Sequence, residues 1–502
     1  MLAKDKKIPK RTLFLIIFDL IILFTAPIAS IFIYVLVLYG WPEIISFESI
    51  DFTNFLINVF IFVIFLILFD QYDFRQDFRR KKKIFQIAAA IVIGGVANIF
   101  LNYLLGISQL GRGIYLFYIV YIFLAITIVR IAYSIVGSVG VYDKKTLIIG
   151  CGESGRDILD VIQKNPQVGL KVIGFLDNKL EKAGTAVNGV PVFHQRGPLR
   201  DQIMVHHPKL VIVAMKRLRF YDLIEDLTWC AQRGIEIWDT PTTYEYLKKR
   251  IPLKYVDELW LFHTAVNWPK IHISRMKRIM DLIVASLALV VSLPIILLTL
   301  VAVWLETGRP LILSQRRLGK NGKIINILKI RSMYQTAPKK GEKGSYAGDQ
   351  RITKVGRVIR KLHVDELPQL LNVLKGDISM VGPRAELYDF VYGFIEKGLE
   401  DEKGRPSVSC PAARKTSEES RLSDGAVEKK VNRYVPFIEQ RFSVDQGLTG
   451  WAQVMQPIAS STYDDMTEKL EYDLYYIRNI SLLLDIIILI KTVRVVLLGK
   501  GK

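Results

Sequence analysis

Long apolar blocks separated by short polar stretches dominate the first part of the chain. Four blocks lie at roughly 13–39, 54–69, 84–105 and 114–136, and each is near the length that crosses about 30 Å of hydrocarbon. The loop after the first block is acidic, whereas Lys and Arg cluster before the first block and between the second and third. By the positive-inside rule, residues 1–140 are predicted to form four transmembrane helices, with the chain that follows in the cytoplasm.

Arg130 lies late in the fourth apolar block. An ionisable residue inside a span is a functional candidate, but a long basic side chain near the end of a span also reaches the headgroup region. Because Arg130 is close to the cytoplasmic end, the second explanation is favoured.

A different pattern follows the fourth block, in which short apolar strands alternate with amphipathic helices. The stretch TLIIGCGESGRDILDVI combines a buried strand, Gly150, Gly152 and Gly155 in GxGxxG spacing, and a helix. The next strand ends at Asp177, about 20 residues on, where a dinucleotide-binding fold places its ribose-binding acid. Residues 141–265 are therefore predicted to form a Rossmann-like cytoplasmic domain with a small parallel sheet.

The glycines of this turn have two explanations. They fit a nucleotide site, and they also fit a tight turn with close helix packing alone. Because the tight turn and close helix packing alone explain the glycines, a structural or regulatory domain is favoured over NAD binding. A membrane-tethered NAD-dependent nucleotide-sugar epimerase or dehydratase stays as the alternative enzyme.

Residues 271–304 form the next apolar element, in which Ser292 and Pro294 interrupt a long apolar run. Its length alone predicts a fifth span. A straight span would place the basic stretch 316–331 outside, against the charge rule. A helix kinked at Pro294 that enters and leaves on one face satisfies that rule, because proline removes a helical hydrogen bond. Prolines are also common in true spans, so the pattern leaves both arrangements open.

Composition narrows the class of protein. The 502 residues are enough for two or three domains, and 51% of them are hydrophobic. The 68 Lys and Arg exceed the 48 Asp and Glu, and the net charge of +20 indicates a surface that faces anionic lipid or anionic substrates. Nucleic acid is the competing partner, disfavoured because the basic residues flank apolar segments and no nucleic-acid-binding module is recognisable. The three cysteines are widely separated, which excludes a disulfide framework and a zinc site.

Two adjacent carboxylates, Asp365 and Glu366, precede Pro368 and an apolar run. This pattern predicts a short helix whose first turn contains the proline, since first-turn N–H groups have no intrahelical partner. Both acids, with Arg360 just upstream, would lie at the positive end of the helix dipole, where phosphates also bind. The pair either caps the helix or takes part in chemistry on phosphate.

The stretch from Arg360 to Arg384, RKLHVDELPQLLNVLKGDISMVGPR, resembles the signature of the polyprenyl-phosphate hexose-1-phosphate transferases, the bacterial sugar transferases also called monotopic phosphoglycosyl transferases. Ordered blocks on both sides are similar to this family: LSQRRLGKNGKIINILKIRSM, ISMVGPRAE, GLTGWAQV and YDLYYIRNISLLLDIIILIKT. So long a match is more specific than any short motif. The chain departs from the family pattern at Ala385, Asp445 and Gln446.

The resemblance implies a mostly helical catalytic domain at 270–502 with a re-entrant membrane helix at about 277–304. Residues 394–432, rich in charge, Ser, Gly and Pro, are predicted to be a disordered insertion in that domain. The predicted fold class is thus a membrane protein of α plus α/β type, with a four-helix transmembrane bundle, a Rossmann-like parallel-sheet domain and the catalytic domain.

The implied activity is transfer of a sugar 1-phosphate from a UDP-sugar to polyprenyl (undecaprenyl) phosphate with release of UMP, as the initiating step of exopolysaccharide, capsule or O-antigen assembly. By resemblance, Asp365 is the nucleophile of a covalent two-step mechanism, and Glu366 supports Mg²⁺ or proton handling. The candidate phosphate- and nucleotide-binding residues are Arg317, Lys329, Arg331, Arg360, Pro383 and Arg384.

The expected location is the bacterial inner membrane, with the Rossmann-like and catalytic domains in the cytoplasm. The expected partners are the UDP-sugar, the polyprenyl phosphate lipid and the membrane, with no nucleic acid; a homodimer is expected from the family alone. The non-enzymatic alternative is a membrane scaffold of polysaccharide export, in which the two acids only cap a helix.

Overall fold

A computed structural model describes most of the protein. The described residues are 10–39, 52–73, 77–106, 112–138, 143–178, 184–194, 199–215, 223–256, 260, 271–334, 351–386, 437–456 and 463–497. The chain divides into two compact units, unit 1 (Met1–Lys248) and unit 2 (Lys249–Lys502). The predicted insertion at 394–432 lies outside the described residues.

Four apolar helices open unit 1, as the apolar blocks predict. They are α1 (Lys10–Tyr39), α2 (Phe52–Leu68), α3 (Lys81–Leu104) and α4 (Arg112–Ser138). Three of them are long and apolar enough to cross a membrane, and α2 contains a shorter apolar segment. Phe62, Leu66 and Ile122 are buried where the helices pack, whereas Phe60 and Phe100 are 66% and 65% exposed. Apolar side chains exposed along a helix bundle indicate a surface that contacts lipid.

The prediction that Arg130 extends to the headgroup region is wrong. Its side chain is fully buried inside the bundle, where its Nη2 lies 2.5 Å from Oδ2 of the equally buried Asp19 on α1. The guanidinium carbon lies 5.6 Å from the ring centres of both Tyr72 and Phe78. The partner was not visible in the pattern of α4 because Asp19 comes 111 residues earlier in the chain.

A six-stranded sheet completes unit 1. Its strands are β1 (Lys144–Ile149), β2 (Leu170–Asp177), β3 (Ala186–Val187), β4 (Val190–His194), β5 (Leu210–Val213) and β6 (Glu236–Asp239), in the order β3-β4-β2-β1-β5-β6. The accompanying helices are α5 (Glu153–Gln163), α6 (Leu199–His206), α7 (Ile224–Gln232) and α8 (Thr240–Lys248). All neighbouring strands are parallel except the short β3–β4 pair. The continuous buried runs of β1 and β5 are typical of a parallel sheet covered on both faces, and the predicted parallel sheet is confirmed.

Unit 2 combines helices with two small sheets. Its elements in chain order are α9 (Ile271–Thr307), β7 (Ile312–Leu318), β8 (Ile324–Ile330), α10 (Lys354–Lys361), α11 (Gln369–Lys375), β9 (Ser379–Val381), β10 (Gly447–Thr449), α12 (Trp451–Met455), α13 (Tyr463–Arg478) and α14 (Leu482–Leu497). β7 and β8 form an antiparallel hairpin, and β9 pairs in parallel with β10. One apolar core joins α9, β8, α11, β9, α13 and α14.

The middle of α9 presents an apolar surface. Val290, Val291 and Leu298 are each more than 70% exposed, and the segment Ile273–Thr307 is long and apolar enough to cross a membrane. The helix continues through Pro294. Its predicted re-entrant course stays a prediction.

The strands that carry the GPR and GLTG motifs approach each other closely. The N–H of Gly382 donates to the carbonyl of Thr449 at 2.9 Å, and the N–H of Gly447 donates to the carbonyl of Pro383 at 2.8 Å. A Cβ on Gly447 would lie 2.1 Å from the nitrogen of Gly382, so only glycine fits there. This packing fixes the turn that leads into Arg384.

The last described helix, α14, has an apolar outer face. Leu483, Ile486 and Val493 are 45% to 52% exposed, whereas Asp485 is buried and lies 2.8 Å from Lys277 of α9. Because the acid points into the protein and the apolar residues point out, this helix suits a position on a membrane surface.

Candidate active site

The acids Asp365 and Glu366 lie in a single 3-10 turn, Val364–Glu366, directly before α11. His363 precedes this turn in the left-handed conformation, with a φ of 55°, and Pro368 immediately precedes α11. The acids therefore stand at the N-terminal end of a short helix, as expected, but in a turn of their own. The side chain of Asp365 is only 3% exposed.

Lys329 lies against both acids. Its Nζ is 2.9 Å from Oδ2 of Asp365 and 3.5 Å from Oε1 of Glu366. The lysine side chain is 28% exposed, so a ligand that approaches from solvent meets the amine beside the buried carboxylate.

Asn372 fixes the distance between α11 and β8. Its side chain donates to the carbonyl of Asn326 at 2.8 Å and accepts from the N–H of Leu328 at 3.0 Å. Among the described residues, β8 pairs with β7 alone, so these groups on its other edge are satisfied by the Asn372 amide. Because β8 carries Lys329 and α11 follows the acids, this amide sets the contact between Lys329 and Asp365. Sequence reasoning missed Asn372, for which the signal was a polar residue inside an apolar run.

Arg384 holds the second acid. Its Nη2 lies 2.6 Å from Oε1 of Glu366, and its side chain is 30% exposed. Burial would raise the pKa of Glu366, but the charges of Arg384 and Lys329 outweigh it and hold this pKa well below its usual range. Glu366 is therefore ionised at neutral pH, which favours binding of cations over proton handling.

A third cation, Arg317 on β7, lies close to Arg384. Burial and the like charge of Arg384 both lower the pKa of Arg317. The Nη1 of Arg317 donates to the carbonyl of Ala385 at 2.6 Å, and its buried Nε has no hydrogen-bond partner within the part of the chain that the structure describes. Arg317, Lys329 and Arg384 line one pocket. Three cations meet at this small cleft, and positive charges gathered in this way attract an anionic group such as a phosphate.

The other predicted phosphate-binding residues have different surroundings. Arg331 is 3% exposed, and its guanidinium donates to the carbonyl oxygens of Thr307 and Gly308 at the end of α9. Arg331 therefore caps that helix and does not join the three cations. Arg360 lies partly exposed in the last turn of α10, and Pro383 is buried in the turn before Arg384.

The two acids are the candidate ligands for Mg²⁺. Among the residues that the structure describes, no group of three or more His, Cys, Asp and Glu side chains could hold a metal ion. Mg²⁺ is usually bound through one or two carboxylates, with substrate phosphates and waters completing the coordination. Asp365 and Glu366 supply two such carboxylates, so these residues fit a Mg²⁺ ion that shares its coordination with a bound phosphate.

In unit 1, the Gly-rich turn lies between β1 and α5. A Cβ on Gly155 would lie 2.1 Å from the carbonyl oxygen of Gly150, whereas a Cβ on Gly152 would meet no neighbouring heavy atom within 4 Å. Asp177 accepts a hydrogen bond from the N–H of Cys151 at 2.9 Å, so its carboxylate holds this turn. Packing explains part of the pattern, and nucleotide binding by this turn stays a prediction.

Family models match both units. Residues 272–420 and 421–499 match the family described as bacterial sugar transferase, and residues 67–227 match the family described as CoA-binding domain. The first match includes the acid pair, the three cations of the pocket and both small sheets of unit 2.

Several proteins from bacteria are similar to this chain. A UDP-N-acetylgalactosamine-undecaprenyl-phosphate N-acetylgalactosaminephosphotransferase from Aeromonas hydrophila is 35% identical over 275 residues, which are 55% of this chain and 55% of that protein. An uncharacterized sugar transferase, EpsL, from Bacillus subtilis is 36% identical over 227 residues, or 45% of this chain and 89% of that protein. An undecaprenyl-phosphate galactose phosphotransferase from Salmonella typhimurium is 25% identical over 475 residues, or 89% of this chain and 88% of that protein.

The match to the Aeromonas protein spans little more than half of its length, whereas the match to the Bacillus sugar transferase covers nearly all of it. The apolar helices make the chain a membrane protein, and the acid pair with its cations lies inside the matched region. The chain belongs to the bacterial sugar transferase family.

Proposed function

We propose that this protein transfers a sugar 1-phosphate from a UDP-sugar to undecaprenyl phosphate, releases UMP, and so starts the assembly of a lipid-linked polysaccharide. The observation that carries the proposal is the buried carboxylate of Asp365 beside a pocket lined by Arg317, Lys329 and Arg384. This arrangement supports a role for Asp365 as a nucleophile that acts on a phosphate group held by the neighbouring cations. The names of the Aeromonas and Salmonella relatives support undecaprenyl phosphate as the acceptor, and the Aeromonas name supports a UDP-sugar as the donor.

The reaction consists of two displacements at one phosphorus. In the first, a carboxylate oxygen of Asp365 forms a bond to the sugar-linked phosphorus of the UDP-sugar. The bond from that phosphorus to the bridging oxygen breaks, and the oxygen leaves with the electron pair as part of UMP. In the second, a phosphate oxygen of undecaprenyl phosphate bonds to the same phosphorus, and the bond from phosphorus to Asp365 breaks. The carboxylate is regenerated, and one site serves a soluble and a lipid substrate in turn.

The surrounding charges offset the repulsion between a carboxylate and several phosphates. Lys329 neutralises Asp365 before the donor binds, and Arg317 and Arg384 face the diphosphate. Arg384 keeps Glu366 ionised. Glu366 would bind Mg²⁺ together with the donor's phosphates, and Asp365 would be a further ligand. When bound, the ion supplies further neutralisation of the diphosphate.

The contacts of α9 support a helix that enters and leaves the membrane on one face, and the charge rule supports the cytoplasmic face of the bacterial inner membrane. Arg278 near its start donates to the carbonyls of Val373 and Leu374 at the end of α11, and Glu306 near its end accepts from the N–H groups that open α10. In a straight helix, Arg278 and Glu306 would be about 42 Å apart, yet both contact the same compact unit. A helix that enters and leaves the membrane on one face explains why both of its ends contact unit 2.

The experiment measures UMP release by the purified full-length protein in detergent, with Mg²⁺, undecaprenyl phosphate and a panel of UDP-sugars. We expect one UDP-sugar to give UMP over many turnovers only when the lipid is present. The panel includes UDP-N-acetylgalactosamine and UDP-galactose, because the relatives are named for these sugars. The UDP-sugar that gives UMP identifies the sugar.

Two outcomes would contradict the proposal. Absence of UMP with every UDP-sugar would exclude the transfer, and NAD-linked conversion of a UDP-sugar without lipid would favour the membrane-tethered epimerase or dehydratase.

A further inference from the structure

A second cluster of ionised side chains lies in unit 2. It consists of Arg441 from the 3-10 helix Ile438–Ser443, Asp473 from α13, and Glu386. Nε of Arg441 is 2.8 Å from Oδ2 of Asp473, and its Nη2 is 3.5 Å from Oε1 of Glu386. The side chains of Arg441 and Asp473 are each 1% exposed. Burial of two charges has a large desolvation free energy even when they pair. A contribution to stability alone therefore explains this cluster poorly.

The guanidinium of Arg441 also contacts the backbone at Arg384. Its Nη2 donates to the carbonyl of Arg384 at 3.3 Å. The next carbonyl, of Ala385, accepts from Arg317 at 2.6 Å, and the carbonyl after that accepts from the N–H of Leu318 at 3.1 Å. Three successive carbonyl groups are thus each held by a different residue, and the backbone of Arg384 is fixed from two sides.

We propose that Arg441, held by Asp473, is a positioning residue for the transfer reaction: it fixes the backbone of Arg384 so that the Arg384 guanidinium meets Glu366 and the donor's phosphates. This role rests on the proposed function, and Arg441 itself does not touch the substrates. A displacement of 1 Å in a positioned group costs about 10²-fold in rate. A lysine at this position keeps the charge but cannot reach Asp473, Glu386 and the Arg384 carbonyl together, because only the planar guanidinium presents donors in several directions.

The test is a double-mutant cycle in the UMP-release assay, with wild type, Arg441→Lys, Arg384→Lys and the double variant. We expect Arg441→Lys to lower kcat about 10- to 100-fold, with a smaller change in the KM for undecaprenyl phosphate. In the Arg384→Lys background the same change is expected to lower kcat less than about 3-fold, because the group that Arg441 positions is already absent. Equal losses in both backgrounds would overturn the proposal, since Arg441 would then act independently of Arg384.

Asp473→Asn provides a second variant that keeps the shape of the side chain and removes its charge. It is expected to reproduce the kcat loss of Arg441→Lys, and the two losses should not add. Thermal unfolding identifies the variants that fold. A folded Asp473→Asn with wild-type kcat, or a failure of both Arg441→Lys and Asp473→Asn to fold, would assign the cluster to stability and overturn the positioning role.

Lys320→Met is the matched control for loss of an ion pair in the same unit. Lys320 and Asp445 lie 3.0 Å apart, but their side chains are 48% and 56% exposed, and such pairs contribute little. This variant is expected to keep wild-type kcat. A wild-type protein that releases no UMP would contradict the proposed function, and the positioning role would fall with it.

Discussion

One ion pair of unit 1 and the ion pairs of the candidate active site in unit 2 differ in their exposure to solvent. In the bundle of unit 1, Asp19 and Arg130 are completely buried. In unit 2, the acids of the candidate active site are 3% and 13% exposed, whereas Lys329 and Arg384, which hold them, are 28% and 30% exposed. The buried pair is closed to ligands, and the pair in unit 2 presents its cations to a pocket.

This difference separates a structural ion pair from a reactive one. Asp19 and Arg130 neutralise each other and join α1 to α4, at the desolvation cost that any buried pair carries. In the proposed reaction, Lys329 and Arg384 neutralise the acids until the phosphates of the donor compete for the two cations. The cations of these two clusters therefore differ in their access to a ligand: Arg130 is enclosed, whereas Lys329 and Arg384 are within reach of a ligand from solvent.

Removal of one partner of the buried pair should have the largest effect on stability. Arg130→Met leaves the Asp19 carboxylate buried without its cation, and we expect the free energy of unfolding to fall by about 3 to 5 kcal/mol. Thermal unfolding in detergent measures this loss, and the double variant Asp19→Leu, Arg130→Met should recover most of it. An Arg130→Met protein as stable as wild type would show that the pair does not join the helices.

Two neighbouring arginines on β7 test whether the position of a positive charge matters for the proposed reaction. Arg317 lines the pocket, whereas Arg316 is exposed, because successive residues of a strand point to opposite faces. Arg317→Ala is expected to lower kcat/KM for the UDP-sugar about 10²-fold, and Arg316→Ala less than about 2-fold. UMP release measures both. Equal losses would mean that net positive charge, and not its place in the pocket, supports the reaction.

A smaller effect is expected from the amide that aligns the acids with Lys329. Asn372→Ala leaves the carbonyl of Asn326 and the N–H of Leu328 without their partner, and it should lower the free energy of unfolding by about 1 to 3 kcal/mol. We also expect a lower kcat, because the contact of Lys329 with Asp365 loosens. Unchanged thermal unfolding together with unchanged UMP release would show that the hairpin needs no anchor on α11.

A further prediction concerns the pH dependence of stability and Glu471 on α13, an acid outside the two clusters compared above. Burial raises the pKa of Glu471 to about 7, against the opposing charge of Arg250. The folded protein then binds more protons than the unfolded chain between about pH 4.5 and 7, so the free energy of unfolding falls as pH rises through this window. Glu471→Gln should flatten that fall in thermal unfolding measured from pH 5 to 8. An unchanged slope would show that another group titrates there.

The sequence predicts the helices and the parallel sheet well because their signals are local. Block length and loop charge place α1 to α4, and the strand-turn-helix pattern places β1 and α5. No local sequence signal predicts the course of α9 through the membrane. A spanning and a re-entrant helix have the same length and composition, so the sequence alone leaves both arrangements open.

The family blocks identify residues of the candidate site, but they do not reveal contacts between residues that are distant in the chain. Asp365, Lys329 and Arg384 lie in family blocks, and the structure brings them together. Arg331 lies in the same kind of block but caps the end of α9, which no spacing reveals. The partner of Arg441 on α13 likewise comes into contact only through the tertiary fold.

The covalent role of Asp365 is tested most directly by trapping the sugar phosphate on the protein. Wild type and Asp365→Asn are incubated with Mg²⁺ and a UDP-sugar labelled in the sugar, without undecaprenyl phosphate, and are then quenched in acid. We expect one labelled sugar phosphate on each wild-type chain, its release when undecaprenyl phosphate is added before the quench, and no label on folded Asp365→Asn. Label on Asp365→Asn, or a wild type that turns over with lipid but never carries label, would contradict Asp365 as the nucleophile.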